Sequence, residues 1–186
     1  MYFSRFVVSL PAENNNRFNA MTRTGVFVGS FDPFTIGHDS IVRRALPLFD
    51  KLIVGVVGDN VQKPYMRPAE ERMEVIRNLY ANMPNIEVKP YYGLAIDFAQ
   101  QENAHFIVKG VRSAKDFEYE REQADINRTI SNGSVETILI YAEPQFSSIS
   151  SSMVRELMHF GVNVDSFLPK NYRTYRPIRP IGPIKK

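Results

Sequence analysis

Cysteine is absent from the 186-residue sequence, and histidine occurs only three times. The absence of cysteine excludes a disulfide scaffold, a cysteine-ligated zinc ion or iron cluster, and a thiol nucleophile. With three scattered histidines and no cysteine, a structural metal site is not expected. The length favours one domain, and it is sufficient to bury a sizeable apolar core without disulfide or metal cross-links.

Long apolar segments are also missing. No apolar run approaches the roughly 20 residues that a membrane-spanning helix needs. The longest run near the N-terminus, residues 6–8, is too short for the core of a signal peptide. We therefore expect a cytoplasmic protein that has no membrane contact. Residues 1–20 include three consecutive asparagines and have the composition of a flexible linker, so Met21 is a candidate alternative start.

The positive charge is concentrated at the C-terminus. The net charge of the whole sequence is +3, but residues 170–186 contribute six lysines and arginines and no acid, so residues 1–169 carry −3. Because nucleic-acid binding along a folded body needs a basic body, we expect no nucleic-acid partner. The sequence divides into an N-terminal extension (1–20), one folded domain (21–169) and a basic, Pro-rich tail (170–186).

Short, mainly apolar runs alternate with helical patterns from residue 24 onward. The runs at 25–28, 51–57, 86–89, 106–108 and 135–140 predict five strands that are covered on both faces. Apolar residues recur near the 3.6-residue period at 41–49, 68–83, 94–102, 113–130 and 150–160, which predicts five helices. This alternation predicts a single-domain α/β protein with a Rossmann-like, doubly wound, five-stranded parallel sheet.

The segment between the first strand and the first helix reads GSFDPFTIGH, residues 29–38. It lies where doubly wound sheets bind ligands, beyond the carboxyl end of a strand, but it lacks the G-x-G-x-x-G fingerprint of dinucleotide binding. Gly37 and His38 open the helix, where free N–H groups and the helix dipole favour anions. One interpretation is a phosphate-binding turn. The other is a structural turn in which His38 is only a polar helix opener.

Two further segments carry groups that suit phosphate. Lys109 and Arg112 flank Gly110 directly after the fourth predicted strand, and an arginine fork with a lysine point charge can clamp a phosphate. Residues 147–152 contain five serines before the fifth predicted helix, which gives hydroxyls and free N–H groups to an anion. Solvent-facing charges and an ordinary serine cap would also explain each segment taken alone.

Taken together, the three segments resemble the nucleotidyltransferase superfamily that carries the (T/H)xGH motif, and within it the phosphopantetheine adenylyltransferases. The resemblance rests on four ordered blocks: GSFDPFTIGH, KPYMRPAEER, VKGVRSAKDFEYEREQADINR and SISSSMVRELMHFGVNVDSFLP. It implies transfer of the adenylyl group of ATP to 4′-phosphopantetheine, which gives dephospho-coenzyme A and pyrophosphate in the synthesis of coenzyme A. It also implies a direct in-line attack without a covalent enzyme intermediate, and a homohexamer.

The resemblance further implies roles for individual residues. His38 would stabilise the transition state at the α-phosphate, and Mg²⁺ would be carried by the ATP phosphates without a dedicated protein site. The residues that would bind 4′-phosphopantetheine are Ser30, Gln62, Ala95 and Lys109. The residues that would bind ATP are Ser30, Phe31, His38, Gly110, Val111, Arg112, Glu120, Phe146, Ser147, Ser148, Ile149, Ser150, Ser151 and Ser152.

Two positions depart from the pattern of this family. Gln62 stands where a phosphate-contacting lysine is common, so the neighbouring Lys63 becomes a candidate catalytic cation. Lys109 stands where the family has arginine, which keeps the charge but loses the bidentate geometry. Two other functions remain open: a different nucleotidyltransferase, such as one that acts on nicotinate mononucleotide, and a non-catalytic nucleotide-binding module, which the loss of the lysine at position 62 would favour.

Overall fold

The computed structural model describes residues 22–58, 65–170 and 172. These residues form the strands β1 (Thr24–Gly29), β2 (Lys51–Val57), β3 (Ile86–Tyr91), β4 (Phe106–Val111) and β5 (Glu136–Tyr141). The helices are α1 (Ile36–Ala45), α2 (Ala69–Leu79), α3 (Ala95–Gln101), α4 (Ala114–Ile130) and α5 (Ser151–His159). None of these helices is long and apolar enough to cross a bilayer. The predicted N-terminal extension, most of the predicted tail, Gln62 and Lys63 lie outside the described residues.

All five strands are parallel and lie in the order β3-β2-β1-β4-β5. β1 is central, and its Phe27 is level with Val54 of β2 and Val108 of β4. The inner strands β1 and β2 are almost continuously buried, and β4 is half buried, because a parallel sheet of this kind is covered by helices on both faces. The prediction of a single-domain, doubly wound, five-stranded parallel sheet is confirmed.

The helices α2, α4 and α5 each begin one residue later than predicted, because the residue predicted to be first is the N-cap and lies half outside the helix. Ser113 accepts a hydrogen bond from the Asp116 N–H, and Ser150 accepts one from the Met153 N–H. α4 and α5 therefore begin one residue after these serines. Pro68, predicted as the first helical residue, has an extended ψ of 152°, so α2 begins at the next residue.

Side chains of β1 alternate between two apolar clusters, one on each face of the sheet. Phe27 lies in the first cluster with residues of α1, α2 and α5. Val26 and Val28 lie in the second cluster with residues of α3. Tyr172, from the segment predicted to be a tail, is 3% exposed and belongs to the first cluster. α4 contributes no buried residue to either cluster.

The direction of winding reverses between β1 and β4. From β1 the chain proceeds outward to β2 and β3, and it then returns across the sheet through α3 to β4 and β5. The carboxyl ends of β1 and β4 consequently lie side by side while the connections that leave them diverge. Doubly wound folds bind ligands in the crevice at such a point, so the topology places the candidate site there.

Candidate active site

A cleft of about 400 Å³ lies at the carboxyl ends of β1 and β4. Its walls come from the three segments that the sequence singles out: the turn after β1, the end of β4 and the start of α5. The predicted site residues that line it are Ser30, Phe31, His38, Lys109, Gly110, Arg112, Glu120, Phe146, Ile149, Ser150, Ser151 and Ser152. The fold therefore brings together groups that lie more than 100 residues apart in the sequence.

His38 is fixed in the cleft by the cap of α1. Thr35 is the N-cap, and its side chain accepts a hydrogen bond from the His38 N–H at 3.4 Å. In return, the Thr35 N–H donates to Nδ1 of the His38 ring at 3.0 Å, so the imidazole fills the place that Glu or Gln takes in a capping box. Because Nδ1 accepts, the proton of the neutral ring is assigned to Nε2. His38 is thus a helix opener, as the structural interpretation expects, and it also lines the cleft. Phosphate binding by this turn stays a prediction.

Aromatic rings surround the imidazole. The ring centroids of Phe31 and Phe34 lie 5.2 and 5.3 Å from that of His38, and the Phe27 centroid lies at 6.3 Å. Burial among these groups and, to a smaller extent, the nearby positive charge of Arg112 together lower the pKa of His38 to about 4. At neutral pH the ring is therefore uncharged, and it can donate a hydrogen bond through Nε2.

The lowered pKa of His38 predicts a stability change between pH 7 and pH 4.5. The unfolded chain protonates histidine near the ordinary pKa of 6.5, whereas folded His38 does so only near 4. The contribution of His38 is thus fully present above pH 6.5 and is lost as the pH falls toward 4. We expect the free energy of unfolding to fall by about 2 kcal/mol more in the wild type than in His38→Gln. Urea titrations of both proteins at the two pH values measure this difference, and equal losses would contradict it.

Two of the three described Lys/Arg side chains that line the cleft, Lys109 and Arg112, are each held by an acidic residue of α4. Arg112 Nε donates to Asp116 Oδ2 at 2.9 Å. Lys109 Nζ lies 3.1 Å from Glu120 Oε2, in an ion pair without the alignment of a hydrogen bond. Lys109 and Gly110 belong to β4 itself, which is three residues longer than predicted. The cleft therefore presents the cations of Lys109 and Arg112 for phosphate, together with the carboxylates that hold them.

The serine hydroxyls at the start of α5 have structural partners. Ser150 Oγ accepts from the backbone N–H three residues later at 3.1 Å. Ser151 Oγ donates to the Pro33 carbonyl oxygen at 2.8 Å, and Ser152 Oγ accepts from Arg155 Nη2 at 3.0 Å. These hydroxyls thus build the wall of the cleft. The N-terminus of the helix still offers backbone N–H groups and its positive dipole end to an anion.

Sequence reasoning missed the side chains that hold the turn after β1. Arg72 of α2 is fully buried, and its Nη1 donates to the Ser30 carbonyl oxygen at 2.6 Å. Arg155 Nη1 donates to the Asp32 carbonyl oxygen at 2.6 Å, and the Asp32 carboxylate accepts the Met66 N–H at 2.7 Å. One signal was available: Arg72 stands where the apolar period of α2 requires a buried residue.

Four predicted site residues do not line the cleft, namely Ala95, Val111, Ser147 and Ser148. Val111 is fully buried at the end of β4. Ala95 begins α3 and packs against the second apolar cluster. Ser147 and Ser148 are exposed in the turn before α5. The predicted roles of positions 62 and 63 stay predictions.

Known proteins resemble this chain in sequence and in fold. Residues 26–157 match the family described as cytidylyltransferase-like. The chain is 49% identical over 148 residues to a phosphopantetheine adenylyltransferase of Bacteroides thetaiotaomicron. The aligned region covers 80% of this chain and 96% of that protein. It is 48% identical over 151 residues to the phosphopantetheine adenylyltransferase of Phocaeicola vulgatus, with 81% and 98% covered.

A solved structure has the same fold. It is a bifunctional NMN adenylyltransferase/ADP ribose pyrophosphatase from Francisella tularensis, which superposes with a TM-score of 0.59 at 16% identity and covers 80% of this chain and 45% of that one. The fold, the family match and the two relatives agree with the four sequence blocks. The chain belongs to the cytidylyltransferase-like family and, within it, to the phosphopantetheine adenylyltransferases.

Proposed function

We propose that this chain transfers the adenylyl group of ATP to 4′-phosphopantetheine, forming dephospho-coenzyme A and releasing pyrophosphate. The observation that carries the proposal is the neutral, cap-anchored imidazole of His38 in a cleft that also contains Arg112, Lys109 and the N-terminus of α5. This set supplies hydrogen-bond donors and positive charge to phosphates. The relatives named phosphopantetheine adenylyltransferase supply the identity of the acceptor.

The reaction needs alignment and charge stabilisation rather than a nucleophilic side chain. A phosphate oxygen of the acceptor attacks the α-phosphorus of ATP, the new P–O bond forms, and the bond from the α-phosphorus to the bridging oxygen breaks as pyrophosphate leaves. The acceptor phosphate is already an anion, so no general base is required. The protein contributes by holding the two phosphates in line and by stabilising the charge that develops on the oxygens being transferred.

His38 supplies the donor at the reacting phosphate. We place its Nε2–H on a non-bridging oxygen of the α-phosphate, where the hydrogen bond strengthens as negative charge builds up. A neutral imidazole suits this role because its Nε2–H donates a hydrogen bond to the anionic substrate without transferring the proton. The capping bond from the Thr35 N–H to Nδ1 fixes both the tautomer and the ring orientation before the substrate arrives.

The cationic side chains divide between the two substrates in this proposal. Arg112 serves the ATP phosphates together with the start of α5, and its guanidinium fork suits two phosphate oxygens at once. Lys109 serves the acceptor phosphate as a point charge that the sheet positions and Glu120 holds. Phe146 and Ile149 line the cleft on the side of α5, and we place the adenine beside them.

Mg²⁺ enters, in our proposal, as part of the substrate MgATP. Mg²⁺ commonly binds through substrate phosphates and only one or two carboxylates. Two carboxylates that line the cleft are already engaged, Asp116 with Arg112 and Glu120 with Lys109. The homohexamer, the cytoplasmic location and the absence of a nucleic-acid partner stay predictions.

Release of pyrophosphate tests the proposal. We expect the purified full chain, given MgATP and 4′-phosphopantetheine, to release one pyrophosphate for each dephospho-coenzyme A formed, and we expect no release without the acceptor. Nicotinate mononucleotide is the comparison acceptor, and a preference for it would overturn the assignment. Calorimetric binding of ATP without turnover of either acceptor would instead identify a non-catalytic nucleotide-binding module.

A further inference from the structure

One peptide unit in the turn before α1 is held at both of its polar ends by the C-terminal part of the chain. The carbonyl oxygen of Pro33 accepts a hydrogen bond from Ser151 Oγ at 2.8 Å. The amide of the same unit, the Phe34 N–H, donates to the hydroxyl oxygen of Tyr172 at 3.0 Å. Tyr172 lies 138 residues further along the chain and is 3% exposed.

The phenol of Tyr172 is a fixed and neutral partner. Its own backbone N–H donates to the Pro169 carbonyl oxygen at 2.8 Å, which ties the residue to the end of the domain. Burial raises the pKa of Tyr172 well above its ordinary value, so the hydroxyl keeps its proton at any assay pH. The oxygen that accepts from the Phe34 amide therefore belongs to a neutral hydroxyl throughout the pH range of the assays.

The amide that follows this peptide unit orients the imidazole of His38. The Thr35 N–H donates to His38 Nδ1 at 3.0 Å, and the Phe34 ring lies 5.3 Å from the imidazole, centroid to centroid. A rotation of the unit between residues 33 and 34 would turn the Thr35 amide and change its aim at Nδ1. Tyr172 thus acts on the imidazole through two consecutive amides, without lining the cleft itself.

We propose that Tyr172 is a positioning residue for the transfer reaction, whose hydroxyl holds the Phe34 amide so that the Thr35 amide stays directed at His38 Nδ1. The proposal rests on the proposed function for its effect on turnover, but its effect on the ring of His38 is independent of the substrate. It also gives Tyr172 a task that the basic, Pro-rich composition around it does not indicate: its hydroxyl braces the turn before α1.

The experiment compares the full-length wild type with Tyr172→Phe, which keeps the buried ring and removes only the hydroxyl. The matched control is Tyr80→Phe. Tyr80 is also 3% exposed, and its hydroxyl donates to Asp39 Oδ1 at 2.8 Å rather than to the backbone of the turn. Both variants lose a buried phenol hydroxyl, so a general loss of stability is expected in each. Thermal unfolding verifies that match.

Two readouts follow for each protein. The first is the ¹⁵N chemical shifts of the His38 ring at pH 7 without substrate, with the His38 signals identified by their absence in His38→Gln. The second is steady-state kinetics of pyrophosphate release with MgATP and 4′-phosphopantetheine. We expect the wild type and Tyr80→Phe to show a protonated Nε2 and an unprotonated Nδ1. We expect Tyr172→Phe to show a mixture of tautomers and a kcat about tenfold lower, with the KM for ATP within about twofold.

Wild-type ring signals in Tyr172→Phe would overturn the proposal, and so would a kcat no lower than that of Tyr80→Phe. Failure of the proposed function gives a different result. If the wild type releases no pyrophosphate with this acceptor, the assignment of the substrate fails, whereas the ring signals still decide whether Tyr172 positions His38.

Discussion

Replacement of His38 by alanine is expected to lower kcat by about 10²–10³-fold, while the KM for ATP changes only a few-fold. The imidazole is buried among aromatic rings and held by the Thr35 amide, so no rearrangement is needed when charge develops on the α-phosphate. A preorganised donor of this kind acts mainly on the transition state, and its removal therefore lowers the turnover rate more than the affinity for ATP. Initial rates of pyrophosphate release over a range of ATP concentrations measure both constants.

The control for this replacement is His105→Ala, because His105 precedes β4 and does not line the cleft. Its kcat should stay within about twofold of the wild type. Since His38→Ala also removes the capping box of α1, at a cost of about 0.5–2 kcal/mol, the assays are run below the unfolding temperature of both variants. A kcat loss of less than about fivefold in His38→Ala would show that the imidazole is not the donor at the reacting phosphate.

The lowered pKa of His38 also predicts how the reaction rate depends on pH. Since the pKa of His38 lies at about 4, the ring is already neutral at pH 6, and its titration contributes no change in rate between pH 6 and pH 8. A histidine that acted as a protonated donor would instead lose activity through pH 6.5. The shape of the pH–rate profile thus distinguishes a neutral donor from a cationic one.

The fold and the position of the site were predictable from the sequence because each rests on a local pattern. Apolar runs at 51–57 and 106–108 predicted strands covered on both faces, and the helical periods between them favoured parallel connections. Parallel connections bring the carboxyl ends of the strands to one edge of the sheet. The turn after β1 and the start of α5 therefore had to meet, although no local signal links them.

The contacts that hold the turn after β1 were not predictable, because each of them joins segments that are distant in the sequence. The bond from the Phe34 N–H to the Tyr172 hydroxyl oxygen spans 138 residues, and that from Arg155 to the Asp32 carbonyl oxygen spans 123. Such bonds depend on the angle at which α5 and the residues after it pack on the sheet, which periodicity does not determine. The tyrosine consequently looked like part of a solvated tail, although the fold buries it.

Replacement of Arg72 by methionine is expected to lower the free energy of unfolding by about 3 kcal/mol or more. The guanidinium is fully buried and donates to the carbonyl oxygens of Ser30 at 2.6 Å, Val57 at 3.0 Å and Arg67 at 3.0 Å. Ser30 follows β1 and Val57 ends β2, so one side chain ties the ends of two neighbouring strands beside the cleft. Methionine has a similar length but no hydrogen-bond donor. The carbonyl oxygens inside the protein therefore lose their charged partner.

The matched variant for Arg72→Met is Arg77→Met on the same helix. Arg77 is 44% exposed and pairs with Glu70 at 2.6 Å, and an exposed ion pair of this kind contributes less than about 1 kcal/mol. Urea titrations of both variants compare a buried guanidinium with an exposed one at equal change of charge. Arg72→Lys should fall between the two, since an ammonium group keeps the charge but lacks the planar fork. Equal stability of Arg72→Met and Arg77→Met would mean that the carbonyl oxygens of Ser30 and Val57 need no partner from α2.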